Sequence, residues 1–301
     1  MHNNTAIAIP PFRAWMMATR PKTLTTAIIP MLLGTILATR SIATIQWELL
    51  WFGIASAVCI QIGTNLINDA LDFKKGSDTA TRIGPKRVTQ SGLLSMQQVF
   101  TVGILFFITA LLLCIPLIQQ GGWPIFVAML ISVLCGYLYT GGPLPLSYCG
   151  LGDPFVLIFY GFVAPSIMYY VQAGAMDSSV FLAGTQTGLL AVALIAINNY
   201  RDHIDDAKAN KLTLAVRFGK RFARLEITAA ILIPFILNIS WISYDAWLAA
   251  FLPIMTLPLG IIVINYMWKH DPTPALNRYF GFAGLLHLTF GLLLCLGLYL
   301  S

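Results

Sequence analysis

Two short stretches of the chain each place an Asn four residues before an Asp, with a further acid three or four residues beyond. The first reads Asn65-Leu-Ile-Asn68-Asp69-Ala-Leu-Asp72 and continues through Lys74-Lys75-Gly76-Ser77-Asp78. The second reads Asn198-Asn199-Tyr200-Arg201-Asp202-His203-Ile204-Asp205-Asp206. On a helix this spacing stacks the side chains along one face. Carboxylates crowded on two facing helices repel unless a counter-charge lies between them. Mg²⁺ supplies such a charge, taking oxygen ligands from a few carboxylates together with a substrate phosphate. The metal candidates are therefore Asp69, Asp72, Asp78, Asp202, Asp205 and Asp206. Asn65, Asn68, Asn198 and Asn199 stand ready to orient these acids or to contact phosphate. Basic residues alternate with the acids, and Lys75, Arg82, Lys86, Arg87, Arg201, Lys208 and Lys211 are suited to the remaining phosphate oxygens. The set fits a diphosphate–metal complex better than a bare cation or a bare anion.

A plainer reading stands beside this one. Asp and Lys near a membrane surface are most often solvated loop residues, and one Asp-x-x-Asp would leave that reading ahead. The doubled, helix-phased arrangement favours function. Individual basic residues are evenly balanced, because topology alone would place them there.

The elements that carry these residues are membrane spans. The chain has 301 residues, 57% hydrophobic and 10% charged, with mean hydropathy +0.77. Soluble domains are about 25% charged. No charge falls between Arg87 and Asp153, between Asp153 and Asp177, or between Asp177 and Arg201. A spanning helix needs about 20 apolar residues, so these gaps hold whole spans. The pattern predicts an all-α membrane protein of nine transmembrane helices, near 23–39, 49–69, 94–118, 122–140, 154–175, 179–200, 225–243, 246–268 and 279–300. Turn chemistry marks the breaks at Gly121-Gly122, Gly141-Gly142-Pro143 and Asp271-Pro272. Residues 1–301 read as one polytopic domain, and residues 1–20 as an N-terminal cytoplasmic segment rather than a cleaved signal peptide.

Nine spans put every Lys and Arg except Arg40 on the side of the N-terminus. The positive-inside rule makes that side cytoplasmic, in the cytoplasmic (inner) membrane of a cell. Asp69, Asp72, Asp78, Asp153, Asp202, Asp205, Asp206 and Asp271 gather there too, although acids contribute little to topology. The two acidic stations, each followed by a basic loop and another span, read as equivalent positions in two related halves. The net charge of +6 belongs to this topology rather than to a nucleic-acid partner. Five scattered Cys and four His show no metal-ligand spacing.

Tyr137, Tyr139, Tyr148, Tyr160, Tyr169, Tyr170 and Tyr200 are candidates to line an aromatic site or to steady a carbocation through their ring faces. Interfacial anchoring is the commoner use of such residues. His287, inside the last span, reads as a hydrogen-bonding contact to a neighbouring helix. Gly150-Leu151-Gly152-Asp153 reads as a turn opening the fifth span.

In these motifs the chain resembles the UbiA-type superfamily of membrane prenyltransferases, and within it the branch acting on 1,4-dihydroxy-2-naphthoate. The likeness runs through Arg20-Pro21-Lys22-Thr23-Leu24, the first acidic station with Lys75-Gly76-Ser77-Asp78, and Arg82-Ile83-Gly84-Pro85. It continues in Thr89-Gln90-Ser91-Gly92, Tyr139-Thr140-Gly141-Gly142-Pro143, Gly150-Leu151-Gly152-Asp153, the second station, and Thr213 to Gly219. Two departures stand out: Asp78 follows Asp72 by six residues, and Lys86-Arg87 runs directly into Val88 where many relatives have an extra Pro.

The resemblance implies that Asp69 and Asp72 hold one Mg²⁺ and that Asp202 and Asp206 hold another, Asp205 assisting. These four Asp would be the catalytic set, with Tyr139, Tyr200 and Asp153 at the acceptor or the allyl cation. It implies transfer of a polyprenyl group from polyprenyl diphosphate to 1,4-dihydroxy-2-naphthoate, with loss of CO₂ and diphosphate, giving demethylmenaquinone. The prenyl tail would lie among the helices against membrane lipid. Another aromatic acceptor, such as 4-hydroxybenzoate, haem or a chlorin, is the near alternative. A secondary transporter or a membrane phosphoalcohol transferase is the alternative from another class, although transporters place binding groups near the bilayer midplane. Prenyl chain length and oligomeric state are not legible in one sequence.

Overall fold

The computed structural model describes residues 10–78 and 82–301; the first nine positions of the expected N-terminal segment lie outside the described residues. Among the described residues the chain is helical, with no strand. Helix α1 (Pro11–Thr19) and a single turn at Pro21–Thr23 lead into α2 (Thr25–Ala38) through a bend of 49°. Two long helices dominate the bundle, α3 (Trp47–Lys74) and α9 (Ser178–Lys208). Between them run α4 (Met96–Leu113), α5 (Ile115–Gly121), α6 (Trp123–Leu138), α7 (Gly152–Val156) and α8 (Ala164–Ala173). The chain closes with α10 (Leu214–Leu237), α11 (Trp247–Phe251), α12 (Leu257–Lys269) and α13 (Leu276–Leu300).

Among the described residues seven helical segments are long and apolar enough to cross a membrane, and the bent pair formed by α1 and α2 makes an eighth if it is one span. Helix α6 is apolar but shorter, with 16 residues. Helices suit this setting because each satisfies its own backbone hydrogen bonds without water.

Local chemistry fixes where the helices begin and break. Ser95 and Gln98 form a reciprocal capping box at the start of α4. Asp177 accepts from the Ser179 backbone N–H at 2.8 Å to open α9, and Thr213 caps α10. Gly219, at φ +80°, breaks α10 after its first turn. Between α7 and α8 the chain passes through a π-helical stretch, Leu157–Val163. A close approach at Gly184 packs this stretch on α9: a Cβ there would lie 1.7 Å from the Gly161 carbonyl oxygen. Small residues of this kind let helix backbones meet inside a bilayer.

Both acidic stations ride further along their helices than the span boundaries suggest. Helix α3 runs to Lys74 and α9 to Lys208, past the expected ends near 69 and 200. A basic residue in each last turn, Lys74 and Lys208, complements the negative end of the helix dipole. The largest buried cluster joins α2, α9, α10 and α13 around Leu33, Leu37, Ile197, Ile231 and Phe290. A second cluster joins α2, α3, α5, α6 and α8 around Met31, Leu117, Met129 and Met168. Between them lies a cavity.

Candidate functional site

The cavity, of about 230 Å³, has a charged end and an apolar end. At the charged end Arg20, Asn65, Asn68, Arg82, Asp202 and Lys211 line it. At the other end the wall is Met31, Gly53, Leu117, Met129 and Ile167. The acidic ends of α3 and α9 therefore meet at one end of the bundle, as their repeated spacing predicts.

Two cations knit the stations together. Arg82 pairs through one guanidinium nitrogen with Asp78 and through the other with Asp202. Lys211 Nζ stands 3.6 Å from Asp72 Oδ2 and 3.6 Å from Asp206 Oδ1. Burial alone would lower the Lys211 pKa, but Asp72 and Asp206 more than offset it and raise it. Arg82 follows the same pattern, with Asp202 and Asp78 overcoming burial. Burial pushes the Asp78 carboxyl up to about 6, opposed by Arg82. Arg82 and Lys211 thus bind carboxylates first, where their spacing alone pointed to phosphate.

The acids of α3 are held from behind. Asp69 and Asp72 are each 1% exposed and set back from the cavity wall. Asp69 accepts from the Thr89 backbone N–H at 3.1 Å and from the Thr89 hydroxyl. Asp72 accepts from Asn68 Nδ2 and from the Tyr148 hydroxyl, both at 2.9 Å. Asn68 Nδ2 also donates to Thr140 Oγ1 at 2.9 Å, and its Oδ1 accepts from Arg20 at 2.7 Å. Asn65 is turned toward the bend before α2, donating to the Thr19 carbonyl at 3.1 Å.

On α9, Arg201 grips Asp202 with two hydrogen bonds of 2.8 Å and donates to Asn277 Oδ1 at 2.9 Å. Asn277 in turn donates to the Ile83 carbonyl at 3.1 Å, anchoring the loop that carries Arg82. Asn199 donates to Asp153 Oδ2 at 3.2 Å, while Asn198, Asn199 and Asp206 line the cavity. Arg87 lines it too, its Nε 3.4 Å from Asp78 Oδ1. Tyr139 is on the wall as an aromatic candidate.

Other expected residues are not brought together. Lys208, 68% exposed along its side chain, pairs only with Asp205 at 3.4 Å, among the described residues. That pair faces away from the cavity. Tyr200 points its hydroxyl to the His270 carbonyl at 3.2 Å and takes a hydrogen bond from Arg224, on the far side of α9. It steadies the α10–α12 connection and is not on the cavity wall. Lys75 Nζ donates to the Thr140 carbonyl at 2.6 Å and sits 4.2 Å over the Tyr148 ring, so it braces Tyr148 rather than lining the cavity. Arg201 is buried behind Asp202. His287 is fully buried in α13, off the cavity wall.

Several contributors escaped the spacing argument. Arg20, Thr89, Thr140, Tyr148 and Asn277 orient or neutralise the acids, yet none lies on an acidic station. Arg20, Thr89 and Thr140 sit inside motifs that carry the family resemblance, which is the one signal that marked them. Tyr148 is one of the seven aromatic candidates, but its hydrogen bond to Asp72, like the contacts of Asn277, is visible only in the structure.

The donor set suits a hard cation. Carboxylates and side-chain amides line the charged end of the cavity, and oxygen donors of this kind suit Mg²⁺. Among the described residues Asp78 Oδ2 is buried without a hydrogen-bond partner. Among the described residues no three His, Cys, Asp or Glu close on one position. Mg²⁺ does not require that, because it binds through one or two carboxylates and completes its shell with phosphate and water.

The sequence matches the UbiA prenyltransferase family over residues 27–298. It is 29% identical over 283 residues to the 1,4-dihydroxy-2-naphthoate octaprenyltransferase of Bacillus subtilis, covering 89% of each chain. It is 36% identical over 227 residues to the Escherichia coli protein of the same name, covering 70% of each. A UbiA homologue from Archaeoglobus fulgidus, solved with DMAPP and Mg²⁺, superposes with TM-score 0.59 at 18% identity, covering 93% of this chain and 98% of that one.

Proposed function

The chain belongs to the UbiA prenyltransferase family, and on that premise we propose that it transfers a polyprenyl group from polyprenyl diphosphate to 1,4-dihydroxy-2-naphthoate. CO₂ and diphosphate leave, and the product is demethylmenaquinol, the reduced form of the menaquinone precursor demethylmenaquinone. One observation carries the acceptor: both relatives above bear the naphthoate enzyme's name across most of their length. The meeting of two acidic helix ends over an apolar chamber supports a diphosphate head with a prenyl tail.

In this reading the apolar end of the cavity takes the tail and the charged end takes the diphosphate. Asp69 and Asp72 would hold one Mg²⁺ and Asp202 and Asp206 a second, with Asp78 as a further candidate and Asp205 turned away toward Lys208. Bound there, Mg²⁺ supplies Lewis-acid stabilisation of the leaving diphosphate. Arg20, Arg82, Arg87 and Lys211 add positive charge from the cavity wall and orient the phosphate oxygens. As the prenyl C1–O bond breaks, its electron pair stays on the diphosphate. An electron-rich ring carbon then supplies the pair for the new C–C bond. Tyr139, Phe155 and Phe159 line the cavity, and aromatic rings there are suited to an allyl cation.

The fold is read as nine spans in two related halves. The seven long helices, the bent α1–α2 pair and α6 together supply that number. The one-sided distribution of Lys and Arg supports a cytoplasmic N-terminus and a site at the cytoplasmic face of the inner membrane.

The test is prenylation in membranes containing the protein, with labelled polyprenyl diphosphate, Mg²⁺ and either dihydroxynaphthoate or 4-hydroxybenzoate. Product with the naphthoate, lost on adding EDTA, is expected. Equal or better use of 4-hydroxybenzoate would overturn the acceptor, and EDTA-insensitive turnover would overturn the metal.

A further inference from the structure

A polar pair sits part-way down a cavity whose inner end is apolar. Tyr160 donates its hydroxyl proton to Gln61 Oε1, and Gln61 Nε2 donates to Thr23 Oγ1 at 3.4 Å. Gln61, Tyr160 and Thr23 all line the cavity. Gln61 is two helical turns, about 10 Å, along α3 from Asn68. That depth is where an acceptor ring must lie if its reacting carbon is beside the first carbon of the prenyl chain and the diphosphate is at Asn68.

The π-helical stretch explains how Tyr160 reaches this place. Phe155 and Val156, Phe159 and Tyr160, and Val163 and Ala164 all face the cavity. Pairs repeating every four residues would drift off one face of an α-helix, and the wider π turn keeps them aligned. Phe155 and Phe159 stack with ring centroids 5.8 Å apart, and both line the same cavity as Tyr160.

The hydrogen-bonding capacity left over is specific. Tyr160 Oη gives its proton to Gln61 and keeps a lone pair, while Gln61 Nε2 has a second hydrogen after Thr23 takes the first. One acceptor and one donor side by side complement a phenolic hydroxyl, which both donates and accepts.

We propose that Gln61 and Tyr160 anchor the ring hydroxyl remote from the carboxylate of the aromatic acceptor, in the cavity that Phe155 and Phe159 also line. The assignment rests on the transferase reading above and specifies how that reaction recognises its acceptor. It makes Gln61 and Tyr160 acceptor-binding residues with no part in holding diphosphate.

The experiment uses full-length wild type, Tyr160→Phe and Gln61→Met in lipid nanodiscs. Each is assayed with dihydroxynaphthoate and with 1-hydroxy-2-naphthoate, which lacks the second hydroxyl. Each variant is expected to raise the KM for dihydroxynaphthoate about tenfold, the worth of one hydrogen bond, and to leave the KM for prenyl diphosphate within about twofold. With 1-hydroxy-2-naphthoate, wild type and Tyr160→Phe should perform alike, because the missing partner is already absent. An unchanged acceptor KM, or an equal loss on both acceptors, overturns the proposal while leaving the transferase reading intact. Failure of wild type to prenylate any aromatic acceptor overturns both.

Discussion

Asp72 on α3 and Asp206 on α9 share one cation, with Lys211 Nζ 3.6 Å from a carboxylate oxygen of each. Two acids far apart in sequence are thereby fixed at one end of the cavity. Lys211 reaches them because α9 ends at Lys208 and the chain turns back at once, with the Lys211 N–H donating to the Asp206 carbonyl at 2.8 Å.

Removing that shared charge leaves two buried carboxylates facing each other. Lys211→Met should lower thermal stability in detergent, breaking a buried pair that is typically worth about 3–5 kcal/mol. Added Mg²⁺ should stabilise this variant more than wild type, since the metal can replace the lost counter-charge. Melting curves with and without Mg²⁺ give the answer, and an equal Mg²⁺ shift in both proteins would count against the shared-cation account.

Asp69→Ala and Asp202→Ala each remove one carboxylate from a station. Turnover should fall by at least about 100-fold, with membrane insertion retained. Initial rates and the yield of folded protein in membranes are the measurements, and robust activity in either variant would contradict the metal assignment.

Gly84 has a packing role that its position in a loop does not reveal. A Cβ there would lie 2.7 Å from Arg82 Nε and 2.8 Å from Arg201 Nη2. Gly84→Ala should therefore displace the Arg82 bridge and reduce kcat/KM by about tenfold, roughly the worth of one disturbed charged hydrogen bond. Wild-type kinetics from this variant would show that the Arg82 contacts with Asp78 and Asp202 do not matter for turnover.

Lys208 and Tyr200 supply the controls. Lys208 is exposed, and Tyr200 sends its hydroxyl to the α10–α12 side, away from the cavity. Lys208→Ala should keep kcat and both KM values within about twofold. Tyr200→Phe should do the same while costing about 1 kcal/mol of stability through its lost hydrogen bonds. A large kinetic defect in either would return that residue to the site.

Much of the site was legible because helical periodicity is a local rule. The Asn and Asp spacing of both stations follows from 3.6 residues per turn, and Asn68 and Asp72 do lie on one face, joined at 2.9 Å. The direction of the basic side chains was not legible. Lys75, Lys208 and Lys211 are equally plausible phosphate ligands in sequence, yet one braces Tyr148, one faces outward and one bridges two acids. Tyr160 and Tyr200 are likewise indistinguishable as letters, and only helix packing puts one on the cavity wall and the other behind α9.

From its residues alone the chain declares itself a multi-span helical membrane protein with two acidic stations of family-specific spacing. Those properties depend on hydropathy and on the helical repeat, which act over a few turns. Tertiary structure decided which acids meet, which cation lies between them, and where the π-helical stretch turns Tyr160 into the cavity. These depend on contacts between helices distant in sequence and on close approaches such as Gly161 with Gly184, which no local pattern encodes.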